Sequence, residues 1–250
     1  MSKTPNEILI IDARYNGPVG RGNGGYVAGM MAAFLSGDAE VRIMRGFPVA
    51  TPLAIRRHPD GAVSCHLDDQ ELGRARPLEL ALEIPPPPTL SAARAAAERF
   101  RFLHGSDVRG CYVCSPRRAP GDGLRLFCGP LPDAAGAIIV AGVWEPGPEL
   151  LDASGQVAPE QVWAALDCPG GYAIAALELD VGVQLLGTCA ASLKQPLRAG
   201  VSYIVSSWQL APPQGRKRFM GVAIHGVTGE LMACARQTWI DAGPRVPVVE

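Results

Sequence analysis

The sequence predicts an α+β fold in which one unit, a strand, a buried helix and a run of antiparallel strands, occurs twice. Three observations lead there. Each half holds an apolar segment of helical length that follows a strand-like stretch. In each half that segment is followed by several short strand-like runs separated by glycine-containing turns. A break of four prolines, Pro85 to Pro88, divides the two patterns. The predicted organisation is a first repeat over 1–84, a linker helix with a cysteine-containing loop over 85–135, and a second repeat over 136–250. Two fused copies imply a pseudo-dimer, whose halves are free to diverge.

The elements follow in order. Residues 7–12 (EILIID) read as the entering strand. A glycine-rich turn comes next, and then 26–35 (YVAGMMAAFL), almost wholly apolar and about three turns long, which predicts a buried helix stopped by Ser36-Gly37. Strands are predicted over 40–47, 52–57, 62–67 and 76–83. His58-Pro59-Asp60-Gly61 separates two of them, because proline presets φ and Asp-Gly favours a hairpin. Beyond the prolines, Ser91 reads as the N-cap of an alanine-rich helix over 92–103, and a loop spans 105–122. The second half opens with an apolar strand over 137–144. Pro159 suits the first turn of a helix that runs to Leu166. Long strands are predicted over 182–195, 200–210, 218–225 and 230–240.

Composition removes several classes of function. With 23 basic and 24 acidic side chains, the net charge is -1, so there is no electrostatic footprint for nucleic acid or a polybasic membrane surface. The longest apolar run, 134–144, falls far short of the roughly 18 residues a spanning helix needs, so no membrane partner is expected. Residues 1–7 are polar and carry no signal-like apolar core, which makes a cytoplasmic location the expectation. Seven cysteines, an odd number in a chain of this size, do not read as a secreted disulfide framework.

Gly20-Arg21-Gly22-Asn23-Gly24-Gly25 formally matches the dinucleotide fingerprint G-x-G-x-x-G. That reading fails. The glycines do not directly follow the strand, and no acidic residue ends a second strand at the required distance. The stretch reads better as a helix N-terminus with free backbone N–H groups, able to hold a carbonyl and its developing oxyanion. A glycine turn that only packs helix against sheet is the other reading.

Several stretches together resemble the hotdog fold, and specifically the double-hotdog acyl-CoA thioesterases of the thioesterase II type. Asn23-Gly24-Gly25-Tyr26-Val27-Ala28-Gly29 resembles the glycine pair that opens the central helix of that family's first hotdog. Gly229 to Gln237 (GELMACARQ) resembles its last strand, which carries a catalytic glutamine, and Leu166-Asp167 the segment that carries its catalytic aspartate. Cys111 to Pro116 (CYVCSP), with Gly123 to Leu126, is similar to a block that precedes the first strand in many single-hotdog thioesterases. Ser115 stands where those usually have glycine. The resemblance covers nearly the whole chain.

It implies hydrolysis of an acyl thioester, on CoA or an acyl-carrier protein, without a cofactor or metal. Asp167, Gln237 and Thr188 are the expected catalytic residues, and Asn23, Gly24, Gly25 and Tyr26 the expected substrate-binding ones. Asp167 would orient or deprotonate the attacking water. The other, less favoured reading makes it the N-cap of a helix starting at Pro169-Gly170. Gln237 falls on a mostly apolar strand face with Leu231, Ala233 and Ala235, where its amide could hold that water or simply end the strand. Thr188 is the hydroxyl candidate and needs a one-residue gap in the comparison. One composite site per chain is expected, since the first apolar helix has no carboxylate. A homodimer is the expected further assembly.

Cys111, Cys114, Cys128 and His104 have the ligand types of a zinc site, but the favoured reading is a metal-free loop over the pocket. Cys65, Cys168, Cys189 and Cys234 read as small core residues. Two rival functions remain. A hotdog hydratase or dehydratase would carry an Asp and a His in one loop–helix segment, and no His lies near Asp167 or Asn23 in the sequence. A binder of acyl thioesters that does not hydrolyse them is the other.

Overall fold

The computed structural model describes residues 7–101, 109–132, 137–178 and 182–243. Among these, one antiparallel sheet of 11 strands curves around the helices. In the first half, strand β1 (Glu7–Leu9) leads through a single 3₁₀ turn to helix α1 (Gly24–Ala32). Strands β2 (Ala39–Ile43), β3 (Leu53–Arg57), β4 (Val63–Leu67) and β5 (Gln70–Pro77) follow. Helix α2 (Leu90–Ala97) and the short strand β6 (Gly129–Pro130) make up the link. The second half holds β7 (Ile138–Trp144), α3 (Pro159–Ala165), α4 (Cys168–Leu177), β8 (Gln184–Leu193), β9 (Tyr203–Gln214), β10 (Lys217–Gly226) and β11 (Leu231–Asp241).

The strand order is β1-β3-β4-β5-β2-β8-β11-β10-β9-β7-β6. Each half therefore places its first strand outermost, then its third, fourth and fifth, and its second strand at the centre. The two second strands, β2 and β8, pair antiparallel from Ala39↔Ala191 to Arg42↔Thr188 and make the two halves one sheet. Helices α1 and α3 pack directly on each other inside the curve. Their contact is close because it uses glycine: a Cβ on Gly25 would lie 2.4 Å from the Trp163 carbonyl, and one on Gly29 2.6 Å from Glu160 Cα. A continuous core runs through both halves, from Leu53 and Val41 through Val27 and Met31 to Val162, Val205 and Val222.

Three expectations are corrected. The last strand of the first half is Gln70–Pro77, not 76–83. Pro77 ends the ladder, and Leu78, Leu80, Leu82 and Ile84 lie across the outer face of the sheet on Ala190, Trp208, Ala223 and Cys234. Helix α2 is capped by Thr89, whose hydroxyl accepts from the Ala92 N–H at 3.2 Å, rather than by Ser91. It ends at Ala97, short of the expected 103, since 98–101 are turn and irregular chain; 102–103 lie outside the described residues. Helix α4 is the helix that the capping reading of Asp167 placed at Pro169-Gly170; Asp167 holds its N-cap position without a side-chain capping bond. Pro169 occupies the first turn, where a missing N–H does no harm.

Candidate active site

Asn23 caps α1. Its Oδ1 accepts from the Tyr26 N–H at 3.0 Å, so the helix starts at Gly24, two residues before the apolar run. Its Nδ2 points the other way and donates to Asp167 Oδ2 at 2.7 Å. The same carboxylate oxygen accepts from the Gly25 N–H at 3.0 Å. Asp167 stands between α3 and α4, in the N-cap position of α4, yet it makes no side-chain capping bond there. It turns instead to the N-terminus of α1, where free N–H groups and the helix dipole favour a negative charge. The carboxylate thus joins the two halves of the chain.

Its environment pulls in two directions. Asp167 is 3% exposed, and burial pushes its carboxyl up to about 7; the Gly25 N–H and the Asn23 amide act against that rise. Oδ2 has both of these partners, whereas Oδ1 is buried with none. A buried oxygen without a partner is rare and calls for a donor.

Gln237 lies on β11 against the α3–α4 junction. Its Nε2 donates to the Leu166 carbonyl at 2.6 Å and to the Asp167 carbonyl at 3.4 Å. Its Oε1 accepts from Trp239 Nε1 at 2.8 Å. The amide holds the backbone that carries Asp167. Gly170 permits this, since a Cβ there would lie 2.0 Å from Gln237 Oε1. Thr188 is not part of the cluster. It pairs with Thr238, while Cys189 pairs with Gln237, and side chains alternate along a strand, so Thr188 faces the outer side. A bulge at Gly187 sets this register. Cys189 takes the inward place beside Gln237; burial, and then the charge of Asp167, push its thiol up.

The expected substrate-binding residues are occupied by the fold itself. The Gly25 N–H is held by Asp167, and so is not free for a thioester oxygen. Gly24 faces Leu186 and Asp167 Oδ2. Tyr26 stacks on Tyr15 with ring centroids 3.9 Å apart, and Tyr112 meets both rings edge-on. Burial raises the Tyr26 hydroxyl well above its usual range. The Tyr112 hydroxyl donates to Gln161 Oε1 at 2.7 Å, which ties the cysteine loop to α3.

The cysteine loop differs from expectation. Cys111 and Cys114 lie with Cys168, their sulfurs all within 4.8 Å of one another. Cys128 is buried beside Gly142 instead, and His104 lies outside the described residues. Cys168 had read as a core residue; its position after Asp167 at the helix junction was the one available signal of another role.

Two surface clefts, of about 380 and 270 Å³, are lined by Pro120, Trp144 and Glu149 and by Asp152, Val162 and Lys194 among others. Neither is lined by Asp167. Among the described residues no helix is long and apolar enough to cross a membrane.

No family model matches the sequence, and no curated protein matches it. Solved structures match along nearly its whole length. An acyl-CoA thioesterase II from Mycobacterium marinum superposes with a TM-score of 0.61 at 12% identity, covering 98% of this chain and 96% of that one. A tesB protein of Mycobacterium avium subsp. paratuberculosis gives 0.59 at 12% identity, over 94% and 92% of the two chains. A hotdog-fold protein of unknown function from Alicyclobacillus acidocaldarius gives 0.59 at 15% identity, over 97% and 96%. The chain therefore has a hotdog-type fold. Within that class, its likeness extends over whole chains of the acyl-CoA thioesterase II kind.

Proposed function

We propose that this protein is a double hotdog that hydrolyses an acyl thioester, carried on CoA or an acyl-carrier protein, at one composite site per chain. The observation that carries the reading is Asp167: a buried carboxylate fixed at the start of α1 by Asn23 and Gly25, with Oδ1 free of any protein partner. In the reaction, Oδ1 accepts a proton from water as the water oxygen attacks the thioester carbon. The C–S bond then breaks, and the thiol leaves with the proton returned to it. Gln237 is a positioning residue that fixes the Asp167 backbone. Thr188, on the outer face, has no role in this scheme. Asn23 and Gly25 orient the carboxylate rather than bind substrate, Tyr26 is taken up by its stack with Tyr15, and Gly24 is the residue of that set left to border the acyl group.

A second reading has one observation in its favour. Asp167 is 3% exposed and neither large cleft reaches it, which suits a protein that binds an acyl thioester without cleaving it. A hydratase or dehydratase is less favoured, because no histidine hydrogen-bonds Asp167 among the described residues. The deciding experiment follows free-thiol release over a panel of acyl-CoA and acyl-carrier substrates. Asp167→Asn is expected to stay folded and to lose about 10²–10⁴ in rate, the usual range for an acid–base group. An unchanged rate would reject Asp167. A parent protein that binds the panel and releases no thiol would establish the binder.

A further inference from the structure

We propose that Cys111, Cys114 and Cys168 form a thiolate site for a zinc ion at the junction of α3 and α4, beside Asp167. The geometry points there first. Cys111 Sγ and Cys168 Sγ lie 3.7 Å apart, and the Cys114 sulfur completes a triangle with every side under 4.8 Å. Tetrahedral zinc with Zn–S bonds of about 2.3 Å holds its sulfurs roughly 3.8 Å apart. A disulfide would need about 2.05 Å, and would leave the third thiol alone.

The backbone around the first cysteine brings its partner close. The C-x-x-C segment is a tight turn closed by the Ser115 N–H on the Cys111 carbonyl at 3.1 Å. Asn23 Nδ2 reaches the Cys111 sulfur at 3.9 Å. Three buried thiols converging on one point, one of them within reach of an amide N–H, are not simple apolar filling, which is the usual role of a buried cysteine. An all-sulfur set is soft, and selects zinc or cuprous copper over magnesium or calcium.

Binding displaces the thiol protons and leaves the three-thiolate zinc unit with one net negative charge. Three protein sulfurs leave a fourth position in a tetrahedral site. Asp167 stands one residue before Cys168, in the N-cap position of α4 at the same junction. The ion would clamp the cysteine loop to the helix junction that carries the candidate carboxylate. It is independent of hydrolysis, since it can be read with no substrate present.

The test is a Co²⁺ titration of the reduced, metal-free, folded protein. A thiolate-to-cobalt charge-transfer band with tetrahedral d–d bands, saturating at one ion per chain and displaced by Zn²⁺, is expected. Cys168→Ser and Cys111→Ser should each weaken or abolish the band, and Cys128→Ser should leave it intact. Absence of the band in the folded parent would overturn the proposal. So would a Cys168→Ser protein with an unchanged spectrum, or Co²⁺ binding lost with Cys128→Ser and kept with Cys168→Ser. Should the cysteine variants fail to fold, the parent titration alone still decides.

Discussion

Gly24 and Gly25 are neighbours with different obligations. A Cβ on Gly25 would lie 2.4 Å from the Trp163 carbonyl and 2.6 Å from Asp167 Cβ. Both are parts of the packed α3–α4 junction, so the two helices would have to separate. A Cβ on Gly24 would meet Leu186 at 3.1 Å, a contact that a shift of a few tenths of an ångström relieves. Gly25→Ala is therefore expected to lower stability by about 1–3 kcal/mol, as overpacking of a closed contact does. Gly24→Ala should be close to neutral. Urea midpoints of the two variants decide this, and equal losses would mean that the α1–α3 contact is looser than its distances. The glycine pair was legible in the sequence as a feature of a helix start. Its use was not: a glycine that admits a ligand and one that admits a neighbouring helix look the same until the neighbour is placed. Asp167 was likewise legible as a carboxylate in an apolar setting, but its partner Asn23 lies 144 residues away along the chain. Thr188 and Cys189 are adjacent in sequence, and a single bulge at Gly187 decides which of them faces inward.

Among the elements, β10 carries a buried histidine. His225 is 4% exposed, and its Nδ1 has no partner. Burial lowers its pKa from the ordinary value of 6.5, against a smaller opposing effect of Glu230. The folded protein therefore holds it neutral, while the unfolded chain takes up a proton as the pH falls below about 6.5. Its contribution to stability is complete above that pH and is lost on going down toward the folded value. His66 on β4 acts in the same direction, again with burial as the first cause. The two histidines thus withdraw stability as the pH falls below about 6.5. Asp167 acts against them with a gain, since its folded carboxyl at about 7 takes up a proton before the unfolded chain does. The stability difference between the parent and His225→Gln should therefore change over this range in the histidine's direction. Urea midpoints across this range test it; a parallel slope in the variant would remove His225 from the account. The sequence placed most strands within a few residues, because alternation and turn chemistry are local. It misplaced the last strand of the first half for a physical reason. The alternating Leu78, Leu80 and Leu82 are apolar toward one side, as in a strand, but an extended segment lying flat on a sheet face needs the same pattern.

At the scale of the whole molecule, the repeat decides how the chain unfolds. Both halves use the same strand order, and β2 and β8 zip them together through four registered pairs. Helix α1 of the first half packs on α3 of the second with glycine closeness, and Asp167 of the second half is bonded to Asn23 and Gly25 of the first. Each half leaves its second strand and one face of its central helix bare without the other, so neither has a closed core of its own. The shared strand order has its sequence counterpart in two like patterns around four prolines, but the joint between the halves has none, since β2 and β8 are far apart in the chain and carry no mark of their pairing. A fused pair built this way should melt as one unit. Scanning calorimetry is expected to give a single transition with equal calorimetric and van't Hoff enthalpies. Changing Val41, fully buried in β2 opposite Cys189, to Ala should lower that one transition without splitting it. Two resolved transitions would mean that each half folds alone, and the composite site would then rest on an interface able to open while both halves stay intact.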